Sequence, residues 1–311
     1  VRREQLTKNF NYEGTFLDHY YPQLLTKGTY FADGQILDED YVYGSFVQSK
    51  MYKHDVTCTN CHDAHTLERK FEGNKLCAQC HIPEKYDTEK HHFHKNGTEG
   101  AQCINCHMPG RFYMGNDFRR DHSFRIPRPD LSLKYGTPNA CTGCHKDKDS
   151  VWANAKFIEQ YGKPDYTHFS DLLVPGLKGA PNAHESLLTL AKDTTQPEIA
   201  RATAITELPN YRNQVTVNEL LSYLNDESAM VRASSVDALN EISNPDYLKS
   251  LFPLLNDEKR VVRIKTYNAL GSLKANQIPA KYKSSYEKAG KEFNTYLEGI
   301  SDFVGGRVNK A

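Results

Sequence analysis

From about residue 183 onward, apolar residues recur at helical spacing and the pattern repeats itself. Arg201, Arg232 and Arg263 stand 31 residues apart, and Leu208, Leu239 and Leu270 keep the same step. Ala200, Val231 and Val262 precede the arginines, while Ala204, Ser235 and Thr266 keep a small residue just beyond them. Leu-Asn-Asp-Glu is written twice, at Leu224–Glu227 and Leu255–Glu258. Gln196-Pro197 and Asn244-Pro245 place proline at first helical turns. A last periodic stretch, Pro279 to about Ile300, sets Tyr282, Tyr286, Ala289, Phe293, Tyr296, Leu297 and Ile300 on one face, the pattern of a capping helix. Upstream, Asp149-Ser150 caps a predicted helix to about Gln160, with Val151, Trp152, Ala155, Phe157, Ile158 and Tyr161 apolar, and Gly162-Lys163-Pro164 ends it. Residues 163–182, rich in Pro and Gly, read as a linker to a repeat domain at 183–311.

The first half has a different texture. Residues 1–50 carry Phe10, Tyr12, Phe16, Tyr20, Tyr21, Tyr30, Phe31, Tyr41, Tyr43 and Phe46, with Gly14, Gly28, Gly34 and Gly44 interrupting any long helix. One short helix is expected near Phe16–Leu25, and the aromatic segment is expected to pack on the module that follows. Residues 51–162 show too little aliphatic patterning to enclose a conventional core.

That poor stretch holds all eight cysteines, in four copies of one motif: Cys58-Thr-Asn-Cys61-His62, Cys77-Ala-Gln-Cys80-His81, Cys103-Ile-Asn-Cys106-His107 and Cys141-Thr-Gly-Cys144-His145. C-x-x-C-H is the attachment signature of c-type haem. Two thiols at this spacing form thioethers to one porphyrin, and the adjacent histidine ligates its iron. A zinc site has no need of the adjacent histidine every time, and a disulfide framework does not predict strict C-x-x-C pairing. The expectation is four covalently bound haem c groups that serve as the core of residues 51–162.

Each iron then needs a sixth ligand. The candidates are His54, His65, His122 and the cluster His91, His92 and His94, of which steric limits admit one or two. His19 lies nearby in sequence as well. His65 has too little chain to wrap its own haem and would have to reach a neighbour. Met51 and Met114 read better as packing than as thioether ligands. Arg111, Arg119, Arg120, Arg125 and Arg128 are candidate counter-charges for haem propionates, since a forked guanidinium suits a carboxylate.

Charge changes the picture little. Lys+Arg and Asp+Glu balance at 39 each, so no nucleic-acid footprint is visible. No run of about 18 apolar residues exists to span a membrane as a helix. The chain opens Val1-Arg2-Arg3-Glu4 without an apolar signal core. Haem attachment takes place outside the cytoplasm, so a removed or upstream targeting segment is expected, with the protein in the periplasm or at the cell exterior.

Two resemblances follow from these stretches. The 31-residue step and the Asp-x-x-x-x-Val-Arg pattern (Asp226 to Arg232, Asp257 to Arg263) resemble HEAT repeats, with armadillo or tetratricopeptide variants as the alternative. Tyr41-Val-Tyr-Gly-Ser-Phe46, Cys58 to His65, Cys103 to Pro109, Arg119 to Phe124 and Thr137 to His145 resemble multihaem cytochromes with doubled C-x-x-C-H motifs followed by helical repeats. Relatives of this architecture often carry further haem motifs upstream. The resemblance implies a mainly α fold with much irregular structure, a haem-cored cytochrome c module followed by an α-solenoid, and a role in respiratory electron transfer. The expected function is a relay through closely packed, mostly bis-histidine haems, with the repeats docking redox partners such as other multihaem cytochromes or an upstream haem-bearing segment. The alternatives are a haem oxidoreductase with one open iron acting on a small nitrogen or sulfur oxyanion, and a filament-forming cytochrome.

Overall fold

The computed structural model describes residues 3–301 except Tyr12, Glu39, Ser243 and Ser272. Val1 and Arg2 of the opening and Tyr12 of the aromatic segment therefore lie outside the described residues. The chain is mainly helical and divides into two compact units, residues 1–26 with 169–311 and residues 27–168. No described helix is long and apolar enough to cross a membrane.

Strand β1 (Arg3–Gln5) pairs antiparallel with β2 (Tyr20–Pro22), and a single turn, α1 (Phe16–His19), leads into β2. The helix expected over 16–25 stops after that turn. Tyr20 and Tyr21 favour extended backbone, and Pro22 disfavours the α region for the residue before it. The segment belongs with the repeats, which corrects its expected assignment to the cysteine-bearing module as far as residue 26. The Tyr21 hydroxyl meets Ser234 Oγ at 2.9 Å, Leu25 N–H donates to Thr203 Oγ1 at 3.0 Å, and Arg260 N–H donates to Asp18 Oδ1 at 3.0 Å. A buried ammonium explains the choice: Lys265 Nζ stands 4.7 Å from the Tyr21 ring centroid and 2.7 Å from Asp237. Burial opposes its charge, but Asp237 and Glu4 outweigh that and hold it above the ordinary lysine range.

Residues 27–168 are built from short pieces. In order they are α2 (Val42–Phe46), α3 (Cys58–Cys61), a 3₁₀ stretch (Gly73–Gln79), α4 (Pro83–Tyr86), α5 (Glu89–His92) and α6 (Cys103–His107). A hairpin of β3 (Gly110–Tyr113) and β4 (Asp117–Arg120) follows, in register Arg111↔Arg119. Its Met114-Gly115 tip has φ of +50° and +80°, as a tight hairpin turn requires. The unit ends in α7 (Pro129–Tyr135), α8 (Ala140–Cys144) and α9 (Ser150–Tyr161). Asp149 caps α9 by accepting from Trp152 N–H, and Gly162 ends it at φ +80°. Not one residue from 51 to 100 is buried. Ordering a residue's backbone costs about 1–2 kcal/mol, and this stretch buries no side chain of its own against that cost.

The repeat unit has the opposite character. Within 163–182, read as a linker, residues Phe169–Leu177 form α10, with Phe169, Leu173 and Val174 buried. Its glycine is a packing residue: a β-carbon at Gly176 would collide with Leu187. The array continues through α11 (Ala183–Lys192), α12 (Glu198–Glu207), α13 (Gln214–Tyr223), α14 (Ala229–Ile242), the short α15 (Pro245–Leu248) with the 3₁₀ stretch Lys249–Asn256, and α16 (Arg260–Ala269). All nine positions that mark the 31-residue step beside the arginines are fully buried.

The arginines form a ladder from each repeat to the next. Arg201 pairs with Asp226 at 2.5 Å, Arg232 grips Asp257 at 2.7 and 2.9 Å, and Arg263 grips Glu292 at 2.8 and 2.6 Å. Arg232 also donates to the carbonyls of Asp226 and Glu227, and Arg263 to those of Asp257 and Glu258. The last rung comes from α17 (Lys283–Gly299), whose Tyr286 and Phe293 pack on Tyr267 at 4.6 and 5.4 Å.

Candidate cofactor site

Each motif sits on about one helical turn, which explains its spacing. Residues i, i+3 and i+4 share one side of a helix, so two thiols and an imidazole converge. In three motifs the histidine N–H closes that turn on the first cysteine's carbonyl: His62 to Cys58 at 2.9 Å, His81 to Cys77 at 3.0 Å and His145 to Cys141 at 2.9 Å. Asn139 caps α8 by accepting from Thr142 N–H at 3.0 Å, and Thr57 plays a similar part before α3. No disulfide joins any of the eight cysteines.

Three motif histidines face a second histidine. The ring centroids of His62 and His122 are 6.5 Å apart, those of His107 and His91 are 6.2 Å apart, and those of His145 and His94 are 6.1 Å apart. Two imidazoles ligating one metal from opposite sides, at about 2 Å per bond, set their centroids about 6 Å apart. The tautomers agree with such a role. His62 Nδ1 donates to Leu67 O at 2.8 Å, His107 Nδ1 to Arg125 O at 2.9 Å, His122 Nδ1 to Arg120 O at 2.9 Å and His94 Nδ1 to His92 O at 2.5 Å. A carbonyl only accepts, so each of these rings carries its proton on Nδ1 and keeps the Nε2 lone pair. Burial lowers the pKa of His122, and burial with His107 and His92 lowers that of His91, so both favour the neutral form that a metal requires.

The other candidates are placed differently. His92 Nδ1 accepts from His94 N–H at 3.2 Å, which puts its proton on Nε2, buried and without a partner. In that tautomer His92 is a hydrogen-bond donor and not a ligand. His54 and His65 are exposed, and among the described residues neither ring stands against a motif histidine. The His81 ring meets Tyr86 edge-on at 5.8 Å, and among the described residues no histidine stands opposite it as in the other three motifs. His19 belongs to the repeat unit, with both ring nitrogens engaged by Thr7 and the Glu13 carbonyl.

Four of the five arginines are committed within the chain. Arg125 pairs with Asp121 at 3.0 Å, Arg119 with Asp117 at 2.6 Å, and Arg120 donates to the carbonyls of Ile104, within α6, and of Met108, just after it. Arg111 reaches Ile36 O at 3.4 Å and lies over the Phe31 ring. Arg128 is the exception: Asp130 takes its Nε and Nη2 at 2.8 and 2.7 Å, but Nη1 is buried with no partner. It lines a small cavity together with Cys106 and Ala140. A buried cationic donor of this kind suits a carboxylate.

Among the described residues no group of three or more His, Cys, Asp or Glu could enclose a metal ion unaided. Paired axial imidazoles instead suit a metal whose remaining positions are filled by a ring. Thiols poised beside the paired histidines, a buried arginine Nη1 without a hydrogen bond and a stretch without its own core all fit a thioether-bound porphyrin. Sequence reasoning missed the orienting carbonyls of Leu67, Arg125 and Arg120, because any residue type supplies a carbonyl. It also missed Tyr161, which packs beside His91 and donates to its carbonyl at 2.6 Å.

Residues 184–277 match the family of HEAT repeats, in agreement with the arginine ladder. The C-terminal part of the chain is thus an array of HEAT-like repeats. No curated protein matches the chain.

Proposed function

We propose that residues 27–168 bind four c-type haems and that the chain is an extracytoplasmic cytochrome relaying electrons between redox partners. The observation that carries this reading is the three facing histidine pairs, each at the separation of two axial ligands on one metal. Bound haem iron supplies reversible one-electron transfer. The chain's part is to hold and tune it. Cys58, Cys61, Cys77, Cys80, Cys103, Cys106, Cys141 and Cys144 would attach four macrocycles, and His62, His81, His107 and His145 would ligate their irons. His122, His91 and His94, which face His62, His107 and His145, would supply the second ligand to three of them. Arg128 Nη1 and His92 Nε2 offer buried donors to propionates. Haem attachment outside the cytoplasm assigns the protein to the periplasm or the cell exterior. HEAT arrays often mediate protein contacts, and here they offer a docking surface for another multihaem cytochrome or an upstream haem-bearing segment.

A second reading rests on His81, whose ring meets Tyr86 rather than a second imidazole. An iron held there with its distal side open would make the protein an oxidoreductase for a small nitrogen or sulfur oxyanion. The test common to both is the haem content of protein expressed with a c-type maturation system. Four haems per chain by pyridine haemochrome are expected from the four motifs. A folded protein that takes up none overturns the proposal.

A further inference from the structure

The turn after the first motif is held more firmly than attachment alone requires. Asp63 Oδ1 accepts from the backbone N–H of His65 and of Thr66, both at 2.9 Å, and from the Thr66 hydroxyl at 3.3 Å. Asp63 N–H donates to Glu68 O at 2.8 Å, Leu67 N–H to Asp63 O at 3.0 Å, and Lys70 N–H to Cys61 O at 3.0 Å, which closes the loop onto the motif. Within this frame Leu67 adopts φ +62°, a left-handed conformation that is unfavourable for any residue with a β-carbon. Packing does not explain it, since Leu67 is 73% exposed. What the conformation achieves is direction: the Leu67 carbonyl accepts the His62 Nδ1 proton at 2.8 Å. The arrangement recurs at the third motif, where Arg125, whose carbonyl takes the His107 Nδ1 proton, follows Phe124 at φ +45°.

We infer that Asp63 is a positioning residue for the axial ligand His62, acting through the strained Leu67 turn to fix the imidazole's tautomer and its electron donation. The inference rests on the haem reading of His62. A carbonyl that accepts the Nδ1 proton makes the imidazole a stronger donor, which favours the oxidised metal and lowers its reduction potential. Without the Asp63 bonds, Leu67 is expected to relax to negative φ and carry its carbonyl away from His62.

In the haem-loaded protein, Asp63→Ala is therefore expected to keep its haem number and to move one reduction step to higher potential, with a changed low-spin EPR signal for that iron. Glycine takes φ +62° without strain, so the Asp63→Ala/Leu67→Gly double variant brings the shifted step back. A turn that serves stability alone would show no such rescue of potential. Unmoved steps in Asp63→Ala overturn the inference, as does a double variant that shifts as far as the single one. Should Asp63→Ala not take up all its haems, Asp63→Asn, which retains an oxygen acceptor, carries the test: a smaller shift in the same direction supports the inference and unmoved steps overturn it. A wild-type protein without haem overturns the underlying reading instead, so the two failures are distinct.

Discussion

Replacing Cys103 and Cys106 together by serine is expected to cost the protein a haem and to open residues 51–147 to protease. The third motif is the junction of the module. Burial, with Cys141, Cys144 and Cys103 near it, pushes the Cys106 thiol up to about 11. Asn74 binds Cys103 N–H and Ala101 O, tying the second motif's segment to the third, while His107 faces His91. Serine is nearly isosteric with cysteine, so the change acts through lost attachment. With no buried residue between 51 and 100, little else opposes the entropy of that stretch. We expect three haems or fewer, and limited proteolysis within the module faster by roughly a hundredfold, equivalent to about 3 kcal/mol of local opening. An unchanged cleavage rate would mean that the chain orders this stretch by itself.

Arg232→Ala is expected to destabilise the repeat unit by about 3–5 kcal/mol, the usual cost of breaking a buried ion pair from one side. The Arg232 and Asp257 side chains are 10% and 7% exposed. The arginine also satisfies the Asp226 and Glu227 carbonyls, so truncation leaves two acceptors bare and a buried carboxylate with the Lys259 N–H but no countercharge. Asp257→Asn in the Arg232→Ala background removes the stranded charge and is expected to recover part of the loss. Denaturant unfolding of the single and double variants measures both. A loss below about 1 kcal/mol would reduce the ladder to the rank of a surface pair.

The repeats were legible because the same side chain meets the same demand every 31 residues. Arg201, Arg232 and Arg263 each need an acid from the next element, and Asp226 and Asp257 of the twice-written Leu-Asn-Asp-Glu meet that need. The third partner, Glu292, was not legible, because the capping helix leaves the repeat and supplies its acid at a different offset. Residues 163–182 misled for a related reason: Pro175 and Gly176 read as linker composition, whereas Gly176 is what lets α10 approach Leu187. The aromatics before residue 26 read as packing on the module that follows, because the pattern does not distinguish an apolar surface from a buried lysine, which a tyrosine ring accepts as readily.

At the candidate site, the convergence of each C-x-x-C-H motif follows from helical spacing and needs no tertiary information. The distal partners do. His62 meets His122 across most of the module, and within one short cluster His91 and His94 turn to different motifs while His92 keeps its Nε2 buried. Leu67 and Phe124 adopt positive φ beside two orienting carbonyls, a conformation that neither residue type announces in sequence.

The central claim is that this chain holds irons between paired histidines, and low-temperature EPR of the oxidised, haem-loaded protein, with and without nitrite, tests it most directly. The account predicts three low-spin ferric signals that nitrite leaves untouched, one for each facing pair. The iron at His81 is the one site where a response to nitrite would favour the oxidoreductase reading over the relay. High-spin ferric signals at two or more sites would contradict the account, because the facing histidines would then not be ligands.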